Sequence, residues 1–117
     1  MISLTEIETS AQNVFGETVA VRQINKATIR IESSQGIFID IFQSLRDQKK
    51  FAFHAKLKGG VIFRLDCRPE RKYRKLKTFP WHFHKGSESH VVASPFSKEK
   101  KTAIVQFLSY VKKETEV

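Results

Sequence analysis

The sequence predicts an α+β fold in which an antiparallel sheet of five to seven strands is flanked by an N-terminal and a C-terminal helix. Apolar residues recur at helical spacing near both ends of the chain, and they recur with a period of two between residues 18 and 66. The chain has 117 residues, of which 40% are hydrophobic and 28% are charged. This size and composition predict a single domain over residues 1–117.

Two segments carry the helical pattern. Ser3 and Glu6 have the spacing of a capping box, and the apolar residues that follow predict a helix over about residues 4–15, ended by Gly16. Near the C-terminus, Ser97 can cap a second helix over about residues 98–113. The apolar stripe of the second helix consists of Ala103, Ile104, Phe107, Leu108 and Val111.

Strands are predicted where apolar and polar residues alternate or where β-branched and aromatic residues concentrate. The predicted strands cover residues 19–22, 27–32, 37–42, 51–57 and 61–66, with two short ones near 81–85 and 90–93. Residues 23–26 are predicted as a hairpin connection, and 37–42 as a largely buried strand. Residues 43–50 are polar and are predicted as a loop, and residues 67–80 lack a clear period and are predicted as an exposed loop.

The connection Lys58-Gly59-Gly60 predicts the register of the fourth and fifth strands. A two-residue Gly59-Gly60 loop would mix apolar and charged side chains on the same face. A three-residue loop gives one wholly apolar face, on which the pairs are Leu57 with Val61, Ala55 with Phe63, and Phe53 with Leu65. The opposite face then carries His54, Arg64 and Asp66.

Positive charge is concentrated in one segment. The formal net charge of the chain is +9, which indicates an anionic partner. Residues 64–85 contain eight basic residues against two acidic ones, and we expect them to contact RNA phosphates. Tyr73 either stacks on a base of the RNA or is an exposed loop residue without a specific function. The candidate RNA-binding residues are Arg68, Arg71, Lys72, Tyr73, Arg74, Lys75, Lys77 and Lys85.

Several classes of protein are excluded by the sequence or disfavoured by it. No stretch approaches the roughly 20 apolar residues that cross a bilayer, and the N-terminus lacks the pattern of a signal peptide. We therefore expect a cytoplasmic protein without a membrane partner. The single cysteine, Cys67, excludes an internal disulfide, lacks the neighbours of a structural zinc site, and has no evident base partner for nucleophilic catalysis.

The segment Trp81-His82-Phe83-His84 places two imidazoles on one face of a strand and two aromatic rings on the other. A histidine pair beside cations can transfer protons while the cations stabilise a charged phosphorane, which is what metal-independent RNA cleavage needs. Two alternatives stand beside this interpretation: two solvated histidines, or a metal site completed by His54 or His90, for which the sequence supplies no clear carboxylate.

Arg64 and Asp66 lie two residues apart on one predicted strand. The common interpretation of such a pair is a surface ion pair of little energetic value. In the functional interpretation, Arg64 is a bidentate phosphate ligand and Asp66 orients either Arg64 or a histidine through a hydrogen bond.

These residues also carry a resemblance to a known family. The runs Phe53-His54, Phe63-Arg64-Leu65-Asp66 and Thr78-Phe79-Pro80-Trp81-His82-Phe83-His84, together with Pro69, resemble the TumE family of toxins from toxin–antitoxin pairs. That family commonly has Asp-Asn-Ala-Pro-His-His before the last run and His-His-Lys-His within it, where this chain has 66–71 and 81–84. The resemblance implies a ribonuclease-type toxin with an antitoxin partner. The residues that it carries over are His54, Arg64, Asp66, Pro80, His82 and His84.

Together with the basic segment and the histidine pair, the resemblance implies a toxin that acts as a metal-independent ribonuclease. Its expected partners are RNA and a cognate antitoxin, and we expect neither a metal nor another cofactor. The second hypothesis is a non-catalytic nucleic-acid-binding module, and the third is a structural or protein-interaction domain. The sequence is compatible with a monomer or a homo-oligomer. The candidate catalytic residues are His82, His84, His54, Arg64 and Asp66.

Overall fold

The computed structural model describes residues 1–116, and it confirms the α+β class. Seven antiparallel strands form one sheet in which the spatial order follows the chain order. Neither helix in the described part of the chain is long and apolar enough to cross a membrane. The elements are α1 (Leu4–Phe15), β1 (Ala20–Asn25), β2 (Thr28–Glu32), β3 (Phe38–Gln43), β4 (Phe51–Lys56), β5 (Ile62–Asp66), β6 (His82–Gly86), β7 (Val91–Ala93) and α2 (Lys100–Thr115).

Both helices pack on the same face of the sheet, and the core lies between them and that face. The predicted stripe of α2 is buried in full. The ring of Phe107 packs against that of Phe53 on β4, with centroids 5.4 Å apart. Burial of each such ring stabilises the folded state by roughly 2 kcal/mol or more. Within residues 1–116, neither α-helix packs on the other face of the sheet, which we call the open face.

The predicted register of β4 and β5 is confirmed. Phe53 pairs with Leu65 and Ala55 with Phe63, and their side chains lie in the core. The Leu57 N–H donates to the Val61 carbonyl at 2.9 Å, which closes the three-residue connection. This connection needs glycine, because Gly59 and Gly60 have positive φ angles of 79° and 81°.

The first hairpin differs from its prediction. β1 continues to Asn25, so the connection is the two-residue turn Lys26-Ala27 rather than residues 23–26. The Asn25 side-chain oxygen accepts from the Ala27 N–H at 2.9 Å and closes the turn. β1 is an edge strand with mostly exposed side chains, so hydrophobic periodicity did not determine where it ends.

β3 was predicted as largely buried, and that prediction is wrong for one of its two faces. Ile39 and Ile41 are buried, whereas Phe38 and Phe42 are 41% and 40% exposed on the open face. Apolar residues occupy both alternating sets of positions in this strand, interrupted only by Asp40, but only alternate side chains can face the helices. The predicted cap of α2 also changes, because Glu99 rather than Ser97 accepts from the first N–H groups of the helix.

A buried amide ties the N-terminus to the sheet and generates a testable prediction. The Gln43 side chain accepts from the Ile2 N–H at 2.8 Å and donates to the Ile2 carbonyl at 2.9 Å. Gln43→Leu should lower the free energy of unfolding by about 2 kcal/mol, because it leaves both backbone groups without partners. Urea unfolding measures the loss. The exposed Gln35→Leu variant is the control and should leave stability unchanged.

Candidate active site

A row of polar side chains crosses the open face from strand to strand. Cross-strand pairing places one residue from each of six adjacent strands directly opposite the next. We call this set the polar row. Its members, from β1 to β6, are Arg22, Arg30, Asp40, His54, Arg64 and His84.

Arg64 is the centre of the hydrogen-bonded part of the row. Its terminal nitrogen Nη2 lies 3.1 Å from Nε2 of His84 and donates to Oε2 of Glu88 at 2.6 Å. Nδ1 of His84 lies 2.8 Å from the Glu88 carbonyl oxygen, which can only accept. His84 therefore donates from Nδ1, and its Nε2 carries the lone pair that accepts from Arg64.

Glu88 is a site residue that sequence reasoning missed. It lies in the β6–β7 connection, four residues after His84, and its side chain is 57% exposed. The sequence predicts Asp66 as the partner of Arg64 or of a histidine, but Asp66 accepts from the backbone N–H of Arg68 at 2.8 Å. The signal available in the sequence was an acidic residue just beyond the basic segment, four residues after a predicted site histidine.

His82 lies beneath the segment that was predicted as an exposed loop. Its side chain is completely buried, and its Nδ1 donates to the Pro80 carbonyl oxygen at 3.1 Å. The ring of Tyr73 covers it, with ring centroids 4.6 Å apart. One face of the Tyr73 ring is therefore occupied by His82 and is not available to stack on a base. Within residues 1–116, the buried Nε2 of His82 and the buried Nε of Arg64 have no hydrogen-bond partner.

His54 differs from the other two histidines because its side chain is exposed. Removal of water from part of the ring lowers the pKa of His54, and the positive charge of Arg64 lowers it further. On its other side stands Asp40, which holds Arg30 through two hydrogen bonds of 2.8 and 2.9 Å. His54 also lines a shallow cavity of about 390 Å³. Among the three site histidines, His54 is thus the imidazole most open to a ligand.

The basic segment surrounds this site unevenly. Residues 71–73 form a short 3-10 turn, and Lys72 pairs with Glu70 at 3.6 Å. Lys85 alternates with the histidines along β6 and so points to the helix side of the sheet. Six of the candidate RNA-binding residues are exposed around the segment, namely Arg68, Arg71, Lys72, Arg74, Lys75 and Lys77.

The remaining candidates lie apart from the polar row. Burial raises the pKa of the Cys67 thiol, which keeps it protonated at neutral pH. His90 donates from Nδ1 to the Lys85 carbonyl and is exposed. In the part of the chain that the structure describes, no three His, Cys, Asp or Glu side chains come together in a geometry that could hold a metal ion.

Comparison with known proteins identifies the family. The family model described as Toxin TumE matches residues 4–115, which is nearly the whole chain. The chain belongs to the TumE toxin family. It is therefore the toxin component of a toxin–antitoxin system, and its membership of the TumE family implies a cognate antitoxin as partner. No curated protein and no solved structure matches the chain.

The charge of Arg64 should be measurable at His54 of this TumE toxin. Arg64→Gln removes a positive charge next to His54 and leaves the negative charges of Glu88 and Asp40, so the pKa of His54 should rise. Titration of the His54 ring protons by NMR measures the change. Arg22→Gln removes a charge three strands away and should leave that titration unchanged. Equal titrations in all three proteins would contradict this account of the site.

Proposed function

We propose that this toxin is a metal-independent endoribonuclease whose active site lies on the open face. One observation carries the proposal: the guanidinium of Arg64 lies between two imidazoles, those of His54 and His84, in the polar row. A guanidinium is a bidentate ligand for phosphate, and two imidazoles supply a base and an acid. The net charge of +9 favours a polyanionic substrate.

RNA supplies its own nucleophile for this reaction. A base takes the proton from the ribose 2′-hydroxyl, the 2′-oxygen attacks the adjacent phosphorus, and an acid gives a proton to the departing 5′-oxygen. The products are a 2′,3′-cyclic phosphate and a free 5′-hydroxyl. Arg64 would stabilise the extra negative charge on the phosphorane.

The structure suggests how the candidate residues divide these roles. His54 is the base, because it is exposed and its lowered pKa keeps it unprotonated at neutral pH. His84 is the acid in a form that is protonated on both ring nitrogens. Its Nε2 is free to hold a proton once Arg64 turns toward a phosphate, and the carboxylate of Glu88, 3.6 Å from Nδ1, favours the cationic ring. His82 is a positioning residue, because it is fully buried and supports Tyr73. Asp66 positions the basic segment by accepting from Arg68.

A second function has one observation in its favour. His82 and His84 are both buried, with 0% and 3% of their surfaces exposed. Solvent-excluded histidines suit a structural role, in which case the protein would bind nucleic acid without cutting it. The two functions share the cationic surface and differ in whether the RNA is cleaved.

Cleavage of total RNA distinguishes these functions. We expect activity that persists in EDTA and falls by about 10²–10⁴-fold in His54→Ala and in His84→Ala, while both variants still bind RNA. Arg64→Gln should weaken both cleavage and binding. Because the pKa of His54 is lowered, activity should decline only below the pH at which an ordinary histidine becomes protonated.

The exposed His90→Ala variant is the control for these substitutions and should cut RNA at the parent rate. If His54→Ala and His84→Ala also cut at the parent rate, the catalytic assignment is wrong. If the parent protein binds RNA but leaves it intact, the binding-module function takes its place.

Salt dependence tests the role of the basic segment. Binding that releases counterions makes log K fall linearly with log salt concentration. Neutralising Arg71, Lys72, Arg74 and Lys75 together should reduce the slope by about three to four, in a fluorescence titration with labelled RNA. Neutralising Lys112 and Lys113 on α2 provides the control with a smaller effect. An unchanged slope in the first variant would show that the segment is only a solvated surface.

A further inference from the structure

Two phenylalanines on the open face have no role in the proposed reaction. Phe38 and Phe42 both project from β3, and their side chains are 41% and 40% exposed. Phe38 lines the cavity of about 390 Å³ that also contains His54, and Phe42 lines another of about 470 Å³ at the other end of the strand. Nothing in the core requires an aromatic ring at either position, because both side chains point away from the helices.

Each ring is accompanied by positive charge. The guanidinium of Arg30 lies 5.7 Å from the centre of the Phe38 ring, and Lys56 lines the same cavity. The cavity at Phe42 is lined by Lys50 and Arg68. Among residues 1–116, Lys50, Lys56 and Arg68 are exposed and form no ion pair. Exposed rings flanked by unpaired cations suit a ligand that is both aromatic and anionic, as single-stranded nucleic acid is.

The spacing of the two rings fits a phosphate held in the polar row. Four residues of a strand span roughly 13 Å, so the rings stand on either side of Asp40. Arg64 lies two strands from β3, a distance of about 10 Å. The sugar and base of a nucleotide can extend across that gap. A phosphate at Arg64 can therefore have one neighbouring base over each ring.

We propose that the open face binds single-stranded RNA, with one base stacked on Phe38 and another on Phe42, on either side of the phosphate at Arg64. The position of that phosphate rests on the proposed ribonuclease function. The substrate is single-stranded because paired bases in a helix hide the faces that stacking requires. Phe38 and Phe42 are then residues that bind and orient the substrate.

A substrate analogue that resists cleavage tests this proposal separately from catalysis. The probe is a short single-stranded 2′-O-methyl oligoribonucleotide carrying the fluorescent base 2-aminopurine at successive positions. Stacking of this base on a ring quenches its fluorescence. The parent protein should quench it at two separate positions and should bind the single strand more tightly than the same sequence in a duplex.

Phe38→Leu and Phe42→Leu should each weaken binding roughly tenfold and abolish quenching at one of the two positions. Phe38→Tyr keeps the aromatic ring and should retain both the parent affinity and the quenching at the two positions. Val105→Ala removes an exposed apolar side chain from α2 and should bind like the parent. Because all these side chains are exposed, circular dichroism should show the parent fold in every variant.

The outcomes separate the possible errors. Unchanged binding and quenching in both leucine variants would overturn the stacking proposal even if the parent cuts RNA. Conversely, loss of binding in these variants supports the proposal even if the parent does not cut RNA, and only the ribonuclease function then fails. If the leucine variants bind the probe normally but escape neutralisation by the antitoxin, the open face belongs to the antitoxin and the proposal is wrong.

Discussion

The register of β4 against β5 determines which side chains meet on the open face. The Lys58-Gly59-Gly60 connection reverses the chain so that Phe53 opposes Leu65 and His54 opposes Arg64. A shift by one residue would turn Phe53 out of the core and His54 into it, at a cost of roughly 2–3 kcal/mol for the lost burial of each large apolar side chain. Because this shift in register is unfavourable, His54 stays opposite Arg64. The packing of the core therefore also fixes the geometry of the site.

The segment between β5 and β6 gives the histidines of the site different degrees of solvent access. By folding back over β6, it places Tyr73 on His82 and excludes solvent from that histidine. His54, two strands away, remains open to solvent. The same side-chain type thus has two environments within one site, and environment rather than residue type decides which imidazole can meet a ligand.

Sequence periodicity was sufficient for the parts of the fold where one face is buried. It predicted α1 with its boundaries, the stripe of α2, and the pairing of β4 with β5, because in each case hydrophobic burial selects one arrangement. It did not predict the burial of His82, since residues 67–80 have no period that reveals what they cover. It also missed Glu88, because the conformation of a hairpin connection depends on local turn geometry. It did not predict the exposure of Phe38, because apolar residues precede and follow Phe38 in sequence and hide the alternation.

The carboxylate of Glu88 gives Arg64 a permanent intramolecular competitor. Tethered on the same chain and held at 2.6 Å, this carboxylate has an effective concentration far above that of a dissolved anion. Any phosphate that uses the same guanidinium nitrogen binds with its intrinsic affinity reduced by the fraction of molecules in which Arg64 is free. A small anion with one contact bears the whole of that reduction. A polymer that also contacts neighbouring cations is affected far less. The Arg64–Glu88 ion pair therefore favours ligands that make several ionic contacts over ligands that make one.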